Sequence, residues 1–145
     1  MANISSLSFK TTSLCEAYHH AGAAGASFLL SCRVGAMMKE NRLADVSMDF
    51  AVEIIELVKR LKACHESVIA NQIGRSGTSI GANIHEAKYA QGKRDFVSKL
   101  EIALKEASET GYWLELLFRT KYIDEQKYKK MASECASIRV MLIAS

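Results

Sequence analysis

The chain has 145 residues, 49% of them hydrophobic and 24% charged, with a formal net charge of +3 at pH 7. That is one domain's worth of globular sequence with enough apolar material for a core, which excludes a disordered or collagen-like chain. It has no proline and only 8 glycines, where average usage of roughly 5% would give about seven prolines. Helix interiors exclude proline most strongly, so the chain reads as nearly all helix.

Residues 1–37 hold Ser/Thr clusters and the run AGAAGAS, with few charges and no sustained period. They are expected to form a poorly specified extension ahead of a domain over 38–145. A short helix over Ser27–Met38 and a natural start at Met38 are the alternatives. The longest uncharged run lies between Glu16 and Arg33 and includes His19 and His20. Its apolar part, Ala21 to Cys32, falls short of the roughly 20 residues of a membrane span. Lys10 before a small-residue run has the outline of a secretory leader. The run is Ala/Gly-rich rather than Leu-rich, however, so a cytoplasmic protein is expected. Cys15, Cys32, Cys64 and Cys135 form neither a CxxC pair nor a zinc-finger spacing, which fits free thiols in a reducing compartment.

From about Ser47 the spacing becomes helical. The first helix is predicted over Ser47–Ala63, with Phe50, Ile54, Leu57, Val58 and Leu61 inward and Ser47 as N-cap. The second spans Ser67–Gln91, with Ile69, Ile73, Ser76, Ile80, Ile84 and Ala87 on one side and Gly92 as its stop. The third spans Asp95–Arg119 on a stripe from Phe96 through Leu104 and Leu114 to Phe118. The fourth runs from the cap Asp124 to Ile143, with Tyr128, Met131, Cys135, Ile138 and Leu142 inward. Short loops make sequential helices antiparallel, so the predicted fold is all-α, an up-down-up-down antiparallel four-helix bundle.

Two features exceed what a monomeric bundle needs. Ile102, Trp113 and Leu116 share a stripe of the third helix away from its core residues, with Tyr112 beside them; Val52 and Ile55 lie off the core stripe of the first. Aromatic residues flanked by charge are typical interface anchors, so self-association is expected. In the second helix, Gly74, Gly77 and Gly81 each cost about 1 kcal/mol relative to Ala. The segment lacks a Walker lysine and a G-x-G-x-x-G spacing, and close approach of a neighbouring helix explains it better. Asn83 and Glu86 are expected beside the inward side, in a buried polar network with Lys105, Glu106, Glu109 or Thr110.

Catalytic candidates are thin. His85-Glu86 begins HEAKY and not HExxH, Cys64 and His65 point about 100° apart on a helix, and Glu106 and Glu109 lack the histidines of a di-metal bundle. No catalytic residue, metal site or cofactor is expected. Basic residues do cluster, however. Lys88, Lys93, Arg94 and Lys99 surround the turn between the second and third helices, against Asp95 alone. Arg119, Lys121, Lys127, Lys129 and Lys130 surround the next turn, against Asp124 and Glu125. Tyr89 and Tyr122 lie beside the two clusters, where they can stack on unpaired bases.

The stretch RSGTSIGANIHEAKYAQGKRDFVSKLEIALKEASETGYWLELL, Arg75 to Leu117, resembles the family of four-helix-bundle proteins encoded in 23S rRNA intervening sequences. SMDFAVEIIELVKRL (Ser47 to Leu61) resembles its first helix and KENRL (Lys39 to Leu43) its lead-in. The resemblance covers about Met38 to Leu142. It implies a homopentameric ring and kinship with the accessory protein of diversity-generating retroelements, a basic pentamer that binds nucleic acid and a reverse transcriptase. A ring would repeat each basic turn five times and turn modest charge into a multivalent site. The expected function is therefore non-enzymatic binding of structured RNA or single strands, or of DNA, through the basic turns. The competing expectation is a scaffold that presents helix faces to a partner protein such as a reverse transcriptase, with no membrane role in either case.

Overall fold

The computed structural model describes residues 23–145, with side chains from Arg42 onward. The chain divides into two compact units, residues 1–39 and 40–145. Its helices are α1 (Ala23–Ala63), α2 (Val68–Ala87), α3 (Lys93–Arg119) and α4 (Glu125–Ile143). Among the described residues there is no strand, and no helix is long and apolar enough to cross a membrane.

The four apolar stripes close on one another to make a four-helix bundle. Phe50, Ile54, Leu57 and Leu61 from α1 meet Ile73, Ile80 and Ile84 from α2. Ala103, Ala107, Leu114 and Leu117 from α3 and Met131, Cys135, Ile138 and Leu142 from α4 complete the buried set. Removing each such Leu or Ile side chain from water is worth about 1.5–3 kcal/mol, which outweighs any local propensity. Val58, Ile69, Leu100, Leu104, Phe118 and Tyr128 pack around its edge. The Phe118 and Tyr128 rings stack at 4.7 Å and 8° between planes. Burial raises the Cys135 thiol to about 11, so it behaves as a small apolar side chain, its Sγ donating to the Ala107 carbonyl at 3.2 Å.

Helix ends depart from the sequence expectations in three places. α1 begins at Ala23, because nothing in the Ala-rich, proline-free segment before Ser47 breaks it. Ser47 is not an N-cap: it is buried in mid-helix and donates its hydroxyl back to the Ala44 carbonyl at 2.8 Å. α2 ends at Ala87 rather than Gln91. Gly92 is the extended N-cap residue of α3, at φ −176°, and not the stop of α2. Asp124 does cap α4, accepting from the Lys127 backbone N–H at 2.7 Å.

α1 and α3 both end in six-residue closures whose left-handed position is not glycine. His65 (φ 61°) and Lys121 (φ 63°) occupy it. Glu66 N–H reaches the Leu61 carbonyl and Tyr122 N–H the Leu117 carbonyl, each at 2.9 Å.

The glycines of α2 allow close approach to α1. A Cβ on Gly77 would lie 2.8–3.0 Å from three atoms of Ile54, and one on Gly74 would lie 3.2 Å from Val58. Gly81 is looser, with Ser47 backbone oxygen at 3.5 Å from the same position. The buried polar contact differs from the expected one. Thr110 donates its hydroxyl to the Glu106 carbonyl at 2.8 Å and shares a buried hydroxyl–hydroxyl hydrogen bond with Ser76 Oγ at 3.0 Å. Asn83 instead bonds the Ser79 carbonyl within its own helix, and Glu86 is exposed.

Candidate nucleic-acid interface

The turn between α2 and α3 is held almost entirely by its own backbone. Lys88, Tyr89 and Ala90 donate to the carbonyls of His85, Glu86 and Ala87 at 3.2, 2.9 and 3.1 Å, tightening the last turn of α2. Asp95 then reaches back, its Oδ2 accepting from Gln91 N–H at 3.1 Å. The carboxylate of the first turn of α3 is thus engaged with backbone. Lys88, at the C-cap of α2, and Lys93 and Arg94, the first residues of α3, are exposed and make no ion pair among the described residues. Beneath them Leu43, Ile84, Ala87, Phe96 and Leu100 form an apolar base. Lys93 and Arg94 also border a shallow depression with Val97, Ser98 and Glu101. Three uncompensated cations within seven residues of chain make a local positive field that phosphates would seek.

The other predicted basic residues are spoken for. Lys99 is paired with Glu86, and that hydrogen bond holds its ammonium above the usual lysine range. Around the α3–α4 turn, Lys127 (2.9 Å) and Lys130 both bind Glu53 of α1. Lys130 also faces Glu134 at 3.7 Å, and Lys129 pairs with Glu125 at 2.6 Å. Arg119 pairs with Glu115. Lys121 alone in that group is exposed without an ion pair. The structure therefore separates two clusters that look alike in sequence: the α2–α3 turn keeps three unpaired cations beside the paired Lys99, and the other turn is mostly neutralised.

The tyrosines divide in the same way. Tyr89 is 76% exposed, and its ring centroid lies 5.5 Å from that of His85 with the planes at 47°. Tyr122 is 43% exposed and donates its hydroxyl to Glu66 Oε2 at 3.3 Å.

The predicted interface residues lie on one side of α3 but are unequally available. Tyr112 and Ile102 are exposed, whereas Trp113 and Leu116 are half-buried, Trp113 packing against the chain's own core. Trp113 Nε1 donates to Glu109 Oε1 at 3.1 Å, and its ring meets Tyr112 edge-on at 4.9 Å. That hydrogen bond, with Arg75 of α2 at 2.6 Å, lowers the Glu109 carboxyl below its usual range. On α1, Met48 (63% exposed), Val52 (56%) and Ile55 form a second apolar stripe at i, i+4, i+7. Met48 borders a groove floored by Ala44, Ala51, Gly81 and Ala82 between α1 and α2.

Arg75, Glu53 and the His85–Tyr89 contact were not visible as partners in the sequence. The i, i+4 spacing of His85 and Tyr89 was the only signal available for the last of these. Among the described residues no group of three or more His, Cys, Asp or Glu is placed to hold a metal ion.

Comparison with known proteins agrees with this architecture. Residues 39–144 match the family described as 23S rRNA-intervening sequence protein. A crystal structure from Bacteroides thetaiotaomicron, described as a protein of unknown function from the S23 ribosomal protein family, is 51% identical. The match covers 73% of this chain and 96% of that one, with a TM-score of 0.72. No functionally curated protein matches the chain. The chain belongs to the 23S rRNA-intervening sequence protein family.

Proposed function

We propose that this member of the 23S rRNA-intervening sequence protein family is a non-enzymatic, self-associating bundle that binds nucleic acid through the α2–α3 turn. One observation carries the reading: Lys88, Lys93 and Arg94 are exposed and unpaired where most other predicted basic residues are held by carboxylates. An internally paired lysine must give up its partner to reach a phosphate, and an unpaired one need not.

In this reading the helices run up, down, up, down. Ile54 against Gly77 and Ser47 against Gly81 favour opposite senses for α1 and α2. Arg75 with Glu109 and Glu86 with Lys99 do so for α2 and α3, as do Phe118 with Tyr128 and Cys135 with Ala107 for α3 and α4. Copies associate through the uncovered apolar stripes of α1 and α3 into the five-membered ring that the family resemblance implies. Each ring then carries five α2–α3 turns, and binding gains from their multivalency.

Fluorescence anisotropy with a structured RNA and a matched duplex DNA across a salt series tests the binding, and native mass spectrometry the assembly. Micromolar or tighter binding with a steep log–log salt slope, by a pentamer, is the expected result. A flat response near physiological salt contradicts the binding, and a monomer contradicts the ring.

A second reading rests on the α1–α2 groove, whose small-residue floor suits an inserted helix of a partner protein, leaving the charge to serve solubility. Recovery of one defined protein after nuclease treatment would favour it.

A further inference from the structure

Resting on the reading of the α2–α3 turn as a nucleic-acid site, we propose that this site takes unpaired nucleotides, with a nucleobase stacked on Tyr89 and the phosphates of the same strand held by Lys88, Lys93 and Arg94. Tyr89 is the most exposed aromatic side chain among the described residues, at 76%. Its hydroxyl has no hydrogen-bond partner among them, and the one ring contact it makes is with His85. His85, one helical turn back in α2, sits 5.5 Å away at 47°. The second ring restricts the first without covering it, which leaves a π-face presented to solvent. Lys88 precedes Tyr89 directly, and Lys93 and Arg94 follow across a turn fixed by the Gln91–Asp95 hydrogen bond.

Tyr89 lies beside three unpaired cations, which the other basic turn does not offer its tyrosine. Tyr122 is tied to Glu66, and of the lysines near it only Lys121 is unpaired. A paired base keeps both faces inside its own stack, so a duplex offers this site phosphates alone. An unpaired base offers phosphates and a free face, and stacking on an aromatic ring is tolerant of sequence. The ring therefore discriminates strand state and not sequence.

The test measures anisotropy of the full chain at one salt concentration with labelled oligouridylate, oligothymidylate and a duplex of equal length. Tyr89→Ala should weaken binding to the single strands about tenfold and leave duplex binding unchanged, while Tyr89→Phe retains wild-type affinity. His85→Ala should produce a smaller loss of the same kind. A loss confined to RNA or to DNA supports the platform and assigns its sugar preference. Equal loss on duplex and single strands, or none on either strand, overturns the platform while leaving the basic turn as the binding site. Wild-type protein that binds none of the three probes overturns both readings. Circular dichroism accompanies each variant; both residues are exposed, so the helical signal should be unchanged.

Discussion

Glu53 shows how much of the charge on this surface is structural. It receives hydrogen bonds from Lys130 and Lys127, two residues of α4, from its place on α1. The Lys130 hydrogen bond is the main cause of its lowered carboxyl pKa; burial opposes it, and the Lys127 hydrogen bond and both positive charges add to the lowering. Because the folded value lies below the ordinary 4.5, its contribution to stability is complete above that pH. It is lost as pH falls through the lowered value. Glu53→Gln should therefore cost about 0.5–1 kcal/mol at neutral pH, read from urea unfolding, and the difference from wild type should disappear in acid. Residue identity alone did not reveal this clamp, since 74 positions separate Glu53 from Lys127. The same applies to His65 and Lys121, whose left-handed conformations close helices where glycine would have signalled an end.

At the scale of the element, periodicity was reliable and punctuation was not. The inward residues named for α1, α2 and α4 are buried or packed on the core, because burial of a stripe repeats every three or four residues and leaves a pattern. The beginning of α1 leaves none: with no proline and no early capping box, Ser47 looks like a cap, yet it bonds inside a continuing helix. Gly92 could mark the end of one helix or the start of the next, and only its extended backbone decides. Gly74 and Gly77 of α2 are packing devices against α1, Gly81 less so, and they allow a sharp contrast. Gly77→Ala should destabilise the protein by about 1–3 kcal/mol, since its Cβ would collide with Ile54. Gly111→Ala, in α3 with nothing within 4 Å of the new atom, should stabilise it by about 0.5–1 kcal/mol. Thermal or urea unfolding of the pair checks both signs, and equal behaviour would contradict the close α1–α2 approach.

For the whole molecule, net charge is a poor guide to where an anion binds. The formal excess of +3 arises from many cations, several of which serve as struts between or along helices. Sequence identified both basic turns but could not rank them, because the acids that neutralise the second come from distant positions such as Glu53 or from neighbours whose geometry matters. The decisive measurement compares two charge variants of equal size over a salt series with the same RNA probe: Lys88→Gln/Lys93→Gln/Arg94→Gln and Lys127→Gln/Lys129→Gln/Lys130→Gln. The first variant should bind the RNA more weakly and flatten the log–log slope by about two units, while the second leaves the slope near wild type. An unchanged slope in the first variant, or an equal loss in the second, would contradict the assignment of the α2–α3 turn as the nucleic-acid site.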